Sequence, residues 1–285
     1  MEVYLISTSH LENQLWFRDE EDFKAGMNHV AVTAYQEKIQ VLAFILMSNH
    51  VHFAVQCSYP EAERFITLFK KRYSMYFRRK NGIAGFLRRN DVDIRLVRMD
   101  GESFERVVAY IVMNSVAANI CLHASQYPWG TGGILFNRQQ ARGKELKYYS
   151  RREQSRLLHS WVKLPESYRM AEEGYILPES YVPVTFLESV FRTPKRLSWF
   201  LANSSKAKIL LGQTEAQLPS FRDQSLVAAI QDLCISLFRK NTFKELSKEQ
   251  KAILLQQLRR RFSADPAQIA RVTGITYEET VDLLE

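Results

Sequence analysis

Two histidines separated by one residue, His50 and His52, are the first residues in this sequence whose type and spacing suggest chemistry. The pair Ser48-Asn49 before them has turn chemistry and is flanked by apolar runs, a pattern typical of a β-hairpin. Because side chains alternate across a strand, both imidazoles project from one face. Two imidazoles at that spacing can converge on one divalent metal ion, although two strand histidines that bind nothing would show the same pattern.

A tyrosine and an asparagine one helical turn apart, Tyr110 and Asn114, form a second pair. Asparagine is a poor mid-helix residue, and Asn114 interrupts an otherwise apolar patch. A buried asparagine should have a partner, and its carboxamide oxygen suits a hard cation such as Mg²⁺. A phenol beside such a cation can attack a phosphodiester and keep the bond energy in a phosphotyrosine. For Tyr110 taken alone, packing on an amphipathic helix is the simpler explanation.

The elements that must position these residues follow from periodicity and capping signals. We predict strands near 3–8, 39–47, 50–57 and within 86–99, and helices over 18–36, 59–80 and 103–120. Ser58-x-x-Glu61 is a capping box at the start of the second helix, and Asn81-Gly82 ends it. The predicted fold class is α+β, an antiparallel sheet with helices on one face.

Three regions are predicted along the 285 residues. Residues 1–137 form the sheet-bearing domain, 138–183 a connector with short helices, and 184–285 a wholly helical domain. Residues 265–285 resemble a helix-turn-helix. Its second helix carries Glu278, Glu279, Asp282 and Glu285 but no Lys or Arg, which disfavours contact with phosphates. Arg259, Arg260, Arg261 and Arg271 are possible compensating cations, so DNA reading and a purely structural role both stay open.

Positive charge is concentrated in one stretch. The net charge is +8, yet residues 64–98 hold eleven Lys and Arg against two Asp. Such a patch fits a phosphate-backbone partner, and the interleaved aromatic residues suit stacking on unpaired bases, although a solvated helix face is the usual explanation of a charge run. The candidate DNA-contacting residues are Lys70, Lys71, Arg72, Tyr73, Arg78, Arg79, Lys80, Arg88 and Arg89.

Composition excludes several other classes. No apolar run approaches the ~18 residues of a membrane span, and the N-terminus lacks the layout of a signal peptide. Three scattered cysteines suggest neither a disulfide framework nor a zinc ribbon. We therefore expect a cytoplasmic protein with no membrane partner.

The two motifs together resemble a known family. Met47-Ser-Asn-His50-Val-His52 followed by Tyr110-Ile-Val-Met-Asn114-Ser-Val-Ala is similar to the IS200-like single-tyrosine transposases of the HUH superfamily, closest to the REP-associated tyrosine transposases. Tyr127-Pro-Trp-Gly130 resembles the close of the family domain. Ser115 stands where the family usually has proline, which would kink the helix beyond Tyr110. The resemblance covers about residues 1–137.

The resemblance implies a ferredoxin-like sheet and metal-dependent nicking and rejoining of single-stranded or hairpin DNA. His50, His52 and Asn114 would bind Mg²⁺ or Mn²⁺, and Tyr110 would form a 5′-phosphotyrosine. The alternatives are a catalytically idle protein that binds DNA hairpins and a phosphoesterase that uses water. A homodimer is possible, since related enzymes include dimers.

The hairpin also gives an expectation that the structure can contradict. Ala54 and Gln56 should border the DNA beside the histidines, while Val51 and Phe53 should be buried. If His50 and His52 point into the core instead, the interpretation fails.

Overall fold

A four-stranded antiparallel sheet organises the first half of the chain. The computed structural model describes residues 2–8, 15–85, 87, 90–99, 101–118, 120–137, 143–211, 223–262, 264 and 266–284. The strands are β1 (Glu2–Thr8), β2 (Gln40–Met47), β3 (His50–Cys57) and β4 (Val92–Val97), in the spatial order β2-β3-β1-β4. The helices between and after them are α1 (Glu20–Glu37), α2 (Tyr59–Asn81) and α3 (Ser103–Ala117). The α+β fold class and the predicted order of elements are confirmed.

Helices cover both faces of this sheet, not one as the sequence suggested. Phe53 of β3 packs against Phe65 and Phe69 of α2, with ring centroids 5.2 and 5.3 Å apart. The neighbouring residue His52 faces the other way and meets Tyr110 of α3. Since α1 packs beside α2, one face carries α1 and α2 and the other carries α3. The candidate residues therefore meet on the α3 face.

The segment after α3 is tied to the outer edge of β2. The Leu46 amide donates to the Trp129 carbonyl, and the Tyr127 hydroxyl donates to the Leu46 carbonyl. Gly130 forms a bridge with Ile45, and a Cβ there would lie 2.6 Å from the Phe44 carbonyl oxygen. Only glycine allows this approach, which explains the Tyr-Pro-Trp-Gly stretch as an edge-covering segment.

The stretch predicted as connector contains regular structure. It holds β5 (Gly143–Glu145), α4 (Arg151–Leu158) and β6 (Arg169–Ala171), with β5 and β6 paired antiparallel. Leu146, Leu158, Leu164, Met170 and Ile176 form a hydrophobic cluster with Ala31 and Val32 of α1. Residues 143–176 are therefore packed on the α1 side of the sheet.

The remaining elements are helical, as predicted. They are α5 (Val184–Phe191), α6 (Pro194–Leu211), α7 (Asp223–Phe238), α8 (Lys248–Phe262), α9 (Pro266–Thr273) and α10 (Tyr277–Leu284). Leu187, Phe191 and Phe200 of α5 and α6 belong to the same core cluster as the sheet. A separate cluster is built from residues 226–283. Among the described helices, none combines the length and apolarity that crossing a membrane requires.

One buried histidine away from the candidate site gives a stability prediction. His29 of α1 is 1% exposed, and neither ring nitrogen has a hydrogen-bond partner among the described residues. Burial, together with the positive charges of His159, Arg72 and Arg79 nearby, lowers its pKa from 6.5 to about 3. The unfolded chain therefore binds a proton on His29 at a higher pH than the folded protein does. Stability should fall as the pH drops from 6.5 toward 3, by up to about 1.4 kcal/mol per pH unit.

Replacing His29 with leucine should reduce the loss of stability as the pH falls below 6.5. Urea unfolding of the wild type and of His29→Leu between pH 7 and pH 4 measures the effect. His123→Leu serves as the control, because His123 is exposed. An unchanged slope in His29→Leu would show that other groups cause the acid destabilisation.

Candidate active site

Each of the two histidines of the hairpin forms a hydrogen bond through its Nδ1 atom. His50 Nδ1 lies 2.8 Å from Asn49 Oδ1, and His52 Nδ1 lies 2.9 Å from Ser7 Oγ. An amide oxygen only accepts, so the proton of neutral His50 sits on Nδ1 and the lone pair on Nε2. An anchored Nδ1–H and a basic Nε2 are what metal-ligating histidines usually show.

Tyr110 completes an aromatic row with these histidines. The ring centroids of His50 and His52 are 4.8 Å apart, and those of His52 and Tyr110 are 5.3 Å apart, both edge to face. Tyr110 is partly exposed, while both histidines are buried. Residues sixty positions apart in sequence are thus brought together, because β3 and α3 pack on one another.

Asn114 is buried one turn beyond Tyr110. Its Nδ2 donates to the Tyr110 carbonyl at 2.8 Å and to the Ile111 carbonyl at 3.3 Å. The amide nitrogen is therefore engaged with its own helix, which orients Oδ1, the atom a cation would use, away from those carbonyls. Ser115 is buried in an unbroken helix and its hydroxyl donates to the Val112 carbonyl. Helix α3 therefore continues past the tyrosine, without the kink that a proline at position 115 would cause.

The donor set here is compatible with a divalent cation. No three His, Cys, Asp or Glu side chains cluster suitably for a metal ion within the described ranges. A cation at this site would therefore depend on two imidazoles and an amide oxygen, neutral ligands that leave the charge of the ion uncompensated and available to an anionic phosphate. The buried Asn49 Nδ2 has no hydrogen-bond partner among the described residues. An orphaned donor beside His50 is a place where a water or a ligand oxygen would fit.

The expectation about the faces of the hairpin is met in part. Val51 and Phe53 are fully buried, as predicted. Ala54 is also fully buried, so the prediction that it borders DNA is wrong, while Gln56 is partly exposed. His50 and His52 are only 3% and 5% exposed, but they lie beneath α3, opposite the face that carries Phe53. The site is closed, with the Tyr110 ring covering His52.

Helix α6 packs on the helix that carries Tyr110. Arg196 of α6 contacts Glu105 of α3 at 3.1 Å and Glu102 at 3.6 Å. The Arg196 guanidinium also lies over the Phe200 ring. The region predicted as a separate helical domain therefore braces the outer side of α3.

The basic helix α2 presents fewer groups to solvent than its sequence suggested. Tyr73 is fully buried and its hydroxyl donates to the Trp16 carbonyl, so the prediction that it contacts DNA is wrong. Burial raises its pKa well above 10. Tyr76 and Phe77 are buried as well. The aromatic residues of α2 between Phe65 and Phe77 belong to the core and cannot stack on bases.

Some of the candidate cations of α2 are exposed, and the others are already bound to groups of the protein. Lys71, Arg78 and Arg79 are exposed. Lys80 pairs with Asp19 at 2.6 Å and Asp22 at 2.8 Å. Lys70 and Arg72 are half-buried, with Lys70 bonded to the Asn90 carbonyl and Arg72 to Gln36 and Ser160. Arg88 and Arg89, also candidates, lie outside the described residues.

The predicted helix-turn-helix corresponds to α9 and α10, joined through Gly274 in the left-handed region. Arg271 cannot compensate for the acidic second helix, because it is 3% exposed and paired with the buried Asp223 at 2.8 Å. Glu278, Glu279 and Asp282 are exposed. The side chains of Arg259, Arg260 and Arg261 lie outside the described residues, as does Glu285.

Sequence reasoning missed Ser7 and Asn49, which fix the two imidazoles. Asn49 was identified only as a turn residue. Ser7 pairs with His52 in the β1–β3 register. Alternation along β1 places Ser7 on the same face as Leu5, but the register that brings it to His52 is not visible in the sequence.

Comparison with known proteins gave one distant likeness. A scan against protein-family models and a search of curated proteins found no match. Among solved structures, a REP-associated tyrosine transposase bound to a REP hairpin is similar, with a TM-score of 0.34 and 12% identity, over 60% of this chain and 93% of that one. A likeness of this size shows neither the family nor the function of the chain.

Proposed function

We propose that this protein nicks and rejoins single-stranded or hairpin DNA in a metal-dependent reaction, with Tyr110 as nucleophile. The observation that supports it most is the row of Tyr110, His52 and His50, with His50 anchored in the tautomer that suits a metal ligand. His50, His52 and Asn114 would hold Mg²⁺ or Mn²⁺. When bound, such an ion polarises a phosphodiester and stabilises negative charge on its oxygens.

The proposed reaction balances without a co-substrate. The Tyr110 oxygen forms a bond to phosphorus, and the bond between phosphorus and the 3′-oxygen breaks. The phenol loses one proton and the released 3′-oxygen gains one to become a hydroxyl. The 5′-phosphate stays on the tyrosine. Rejoining is the reverse step with a 3′-hydroxyl as attacking group, so no ATP is needed.

The reaction requires the closed site to open. Because both histidines are almost fully buried, a phosphate can reach them only if the Tyr110 side chain or α3 moves aside. Rotation of the Tyr110 ring off His52 would expose the imidazole and bring the phenol toward a bound phosphate. Arg196 on α6 would limit how far α3 itself moves.

We further propose that the fold is ferredoxin-like and that the chain is an IS200-like single-tyrosine transposase. The β-α-β-β-α-β order with antiparallel strands arranged β4-β1-β3-β2 supports the first point. The His-Val-His and Tyr-x-x-x-Asn motifs on packed elements support the second. The main alternative is a catalytically idle DNA-hairpin-binding protein, favoured by the near-complete burial of His50 and His52.

An adduct assay separates these functions. DNA hairpins with randomised single-stranded flanks, labelled at the 3′ end, are incubated with the full chain and Mn²⁺ or Mg²⁺ and run under denaturing conditions. We expect the label to migrate with the protein, because a 5′-phosphotyrosine retains the 3′ fragment. Chelation of the metal, His50→Ala and His52→Ala should each remove the adduct, while the exposed His123→Ala should retain it. Binding without cleavage would favour the idle protein, and cleavage without adduct a water-using phosphoesterase.

A further inference from the structure

The mixture of exposed aromatic residues and cations that residues 64–80 of α2 lack is found in the two stretches that flank α4. Trp161 is 81% exposed and Tyr148 is 61% exposed. Lys144 and Lys147 place their ammonium groups 5.5 and 5.0 Å from the Tyr148 ring centroid. We define the aromatic–cation surface by its members, which are Lys144, Lys147, Tyr148, Arg151, Trp161 and Lys163.

Two hydrogen bonds to backbone carbonyls hold the two stretches of this surface together. Arg151 Nη2 donates to the Trp161 carbonyl at 3.2 Å, and the Lys147 amide donates to the Glu166 carbonyl at 3.1 Å. The stretches 144–151 and 161–166 therefore run side by side. Arg72 of α2 donates to Ser160 Oγ at 3.3 Å, which joins the surface to the outer side of α2.

The charge of this region selects the partner. Residues 143–170 contain seven Lys and Arg against three Glu. Lys147 pairs with Glu145 and Lys163 with Glu166, and the region keeps a net positive charge after these pairs. An apolar protein partner would gain little at this surface, because the ammonium groups beside Tyr148 would have to be desolvated. A nucleic-acid strand satisfies both groups, since its phosphates pair with the cations and its bases stack on the rings.

We infer that the aromatic–cation surface binds an unpaired DNA strand, with bases stacked on Trp161 and Tyr148. The inference rests on the proposed function, because the proposed function identifies the substrate as DNA. The surface lies on the α1 side of the sheet, where Leu158 of α4 packs against Ala31 and Val32, whereas Tyr110 lies on the α3 face. The strand it holds is therefore remote from the phosphate that is cut, and corresponds to a single-stranded tail of the hairpin.

The test compares two substrates. Fluorescence anisotropy measures the Kd of a hairpin with a long single-stranded tail and of the same hairpin without it. Trp161→Ala and Tyr148→Ala should each weaken binding of the tailed hairpin by about tenfold or more, with no change for the tailless one. Trp161→Phe should retain most of the affinity, and Trp199→Ala on α6, an exposed indole on the opposite side, should bind as the wild type does.

Cross-linking supplies a second readout that is independent of folding defects. A tail carrying a photoreactive uracil should cross-link within residues 143–170 in the wild type. Equal tail affinity in all variants, or cross-links confined to other segments, would overturn the inference. The outcomes remain distinct from those of the adduct assay. If adducts form but the Trp161 variants bind the tail as the wild type does, only the role of this surface is rejected. If tail binding depends on Trp161 but no adduct forms, only the tyrosine chemistry is rejected.

Discussion

Replacing Tyr110 with phenylalanine should abolish the covalent protein–DNA adduct while leaving DNA binding unchanged. The substitution removes only the phenolic oxygen, and the edge-to-face contact of the ring with His52 at 5.3 Å is retained. Loss of a nucleophile removes a step that no neighbouring group supplies, so the rate of adduct formation should fall by more than about 1000-fold. The measurement is the time course of adduct formation on 3′-labelled DNA, together with the Kd from anisotropy.

A matched control tests whether the loss is specific. Tyr277 lies on α10 and is 55% exposed, so Tyr277→Phe removes a phenol without touching the sheet. We expect its adduct yield to equal that of the wild type. Persistent cleavage in Tyr110→Phe would identify water or another residue as nucleophile, and the tyrosine mechanism would have to be abandoned.

The signals that could be predicted are local ones. Ser58 and Glu61 form the capping box at the start of α2, and Gly82 ends the helix in the left-handed region. Ser48 and Asn49 link β2 and β3 in the predicted hairpin, with Met47 opposite His50. Such features depend on a few consecutive residues, so the sequence carries them in full.

The burial of Tyr73 could have been predicted, but a second pattern obscured it. Phe65, Phe69, Tyr73 and Phe77 follow one another at a spacing of four, which places them on one helical stripe. The neighbouring Lys71 and Arg72 made the same tyrosine resemble part of a nucleic-acid surface. Periodicity decides between the two, because a helix of this length has one side toward the sheet.

The contacts that could not be predicted connect distant segments. β5 and β6 are three residues each and separated by 23 positions, too short for an alternating pattern. The Arg196–Glu105 contact that braces α3 joins residues 91 apart. The exposure of Trp161 depends on how residues 143–176 pack on α1. The prediction that all helices lie on one face of the sheet failed because nothing in the sequence of α3 indicates which face this helix covers. Only the tertiary arrangement supplies this information.

The second large effect concerns the stability of the helical region rather than the reaction. Asp223 is fully buried and accepts hydrogen bonds from Arg271 Nε at 2.8 Å, Arg271 Nη2 at 3.0 Å and Gln268 Nε2 at 2.9 Å. These contacts tie α7 to α9. Arg271→Ala should lower the free energy of unfolding by about 3–5 kcal/mol, because it removes two charge-assisted hydrogen bonds from a buried carboxylate.

Two comparisons show whether the cost comes from the buried charge of Asp223. Arg95→Ala breaks an exposed pair with Asp93 and should cost less than about 1 kcal/mol. The double substitution Asp223→Leu with Arg271→Met removes both charges and keeps an apolar contact, so it should be more stable than Arg271→Ala alone. Urea unfolding of the full chain, followed by circular dichroism, measures all three. If the double variant is no more stable than Arg271→Ala, the charge on Asp223 does not set the cost, because removing that charge would then have recovered nothing.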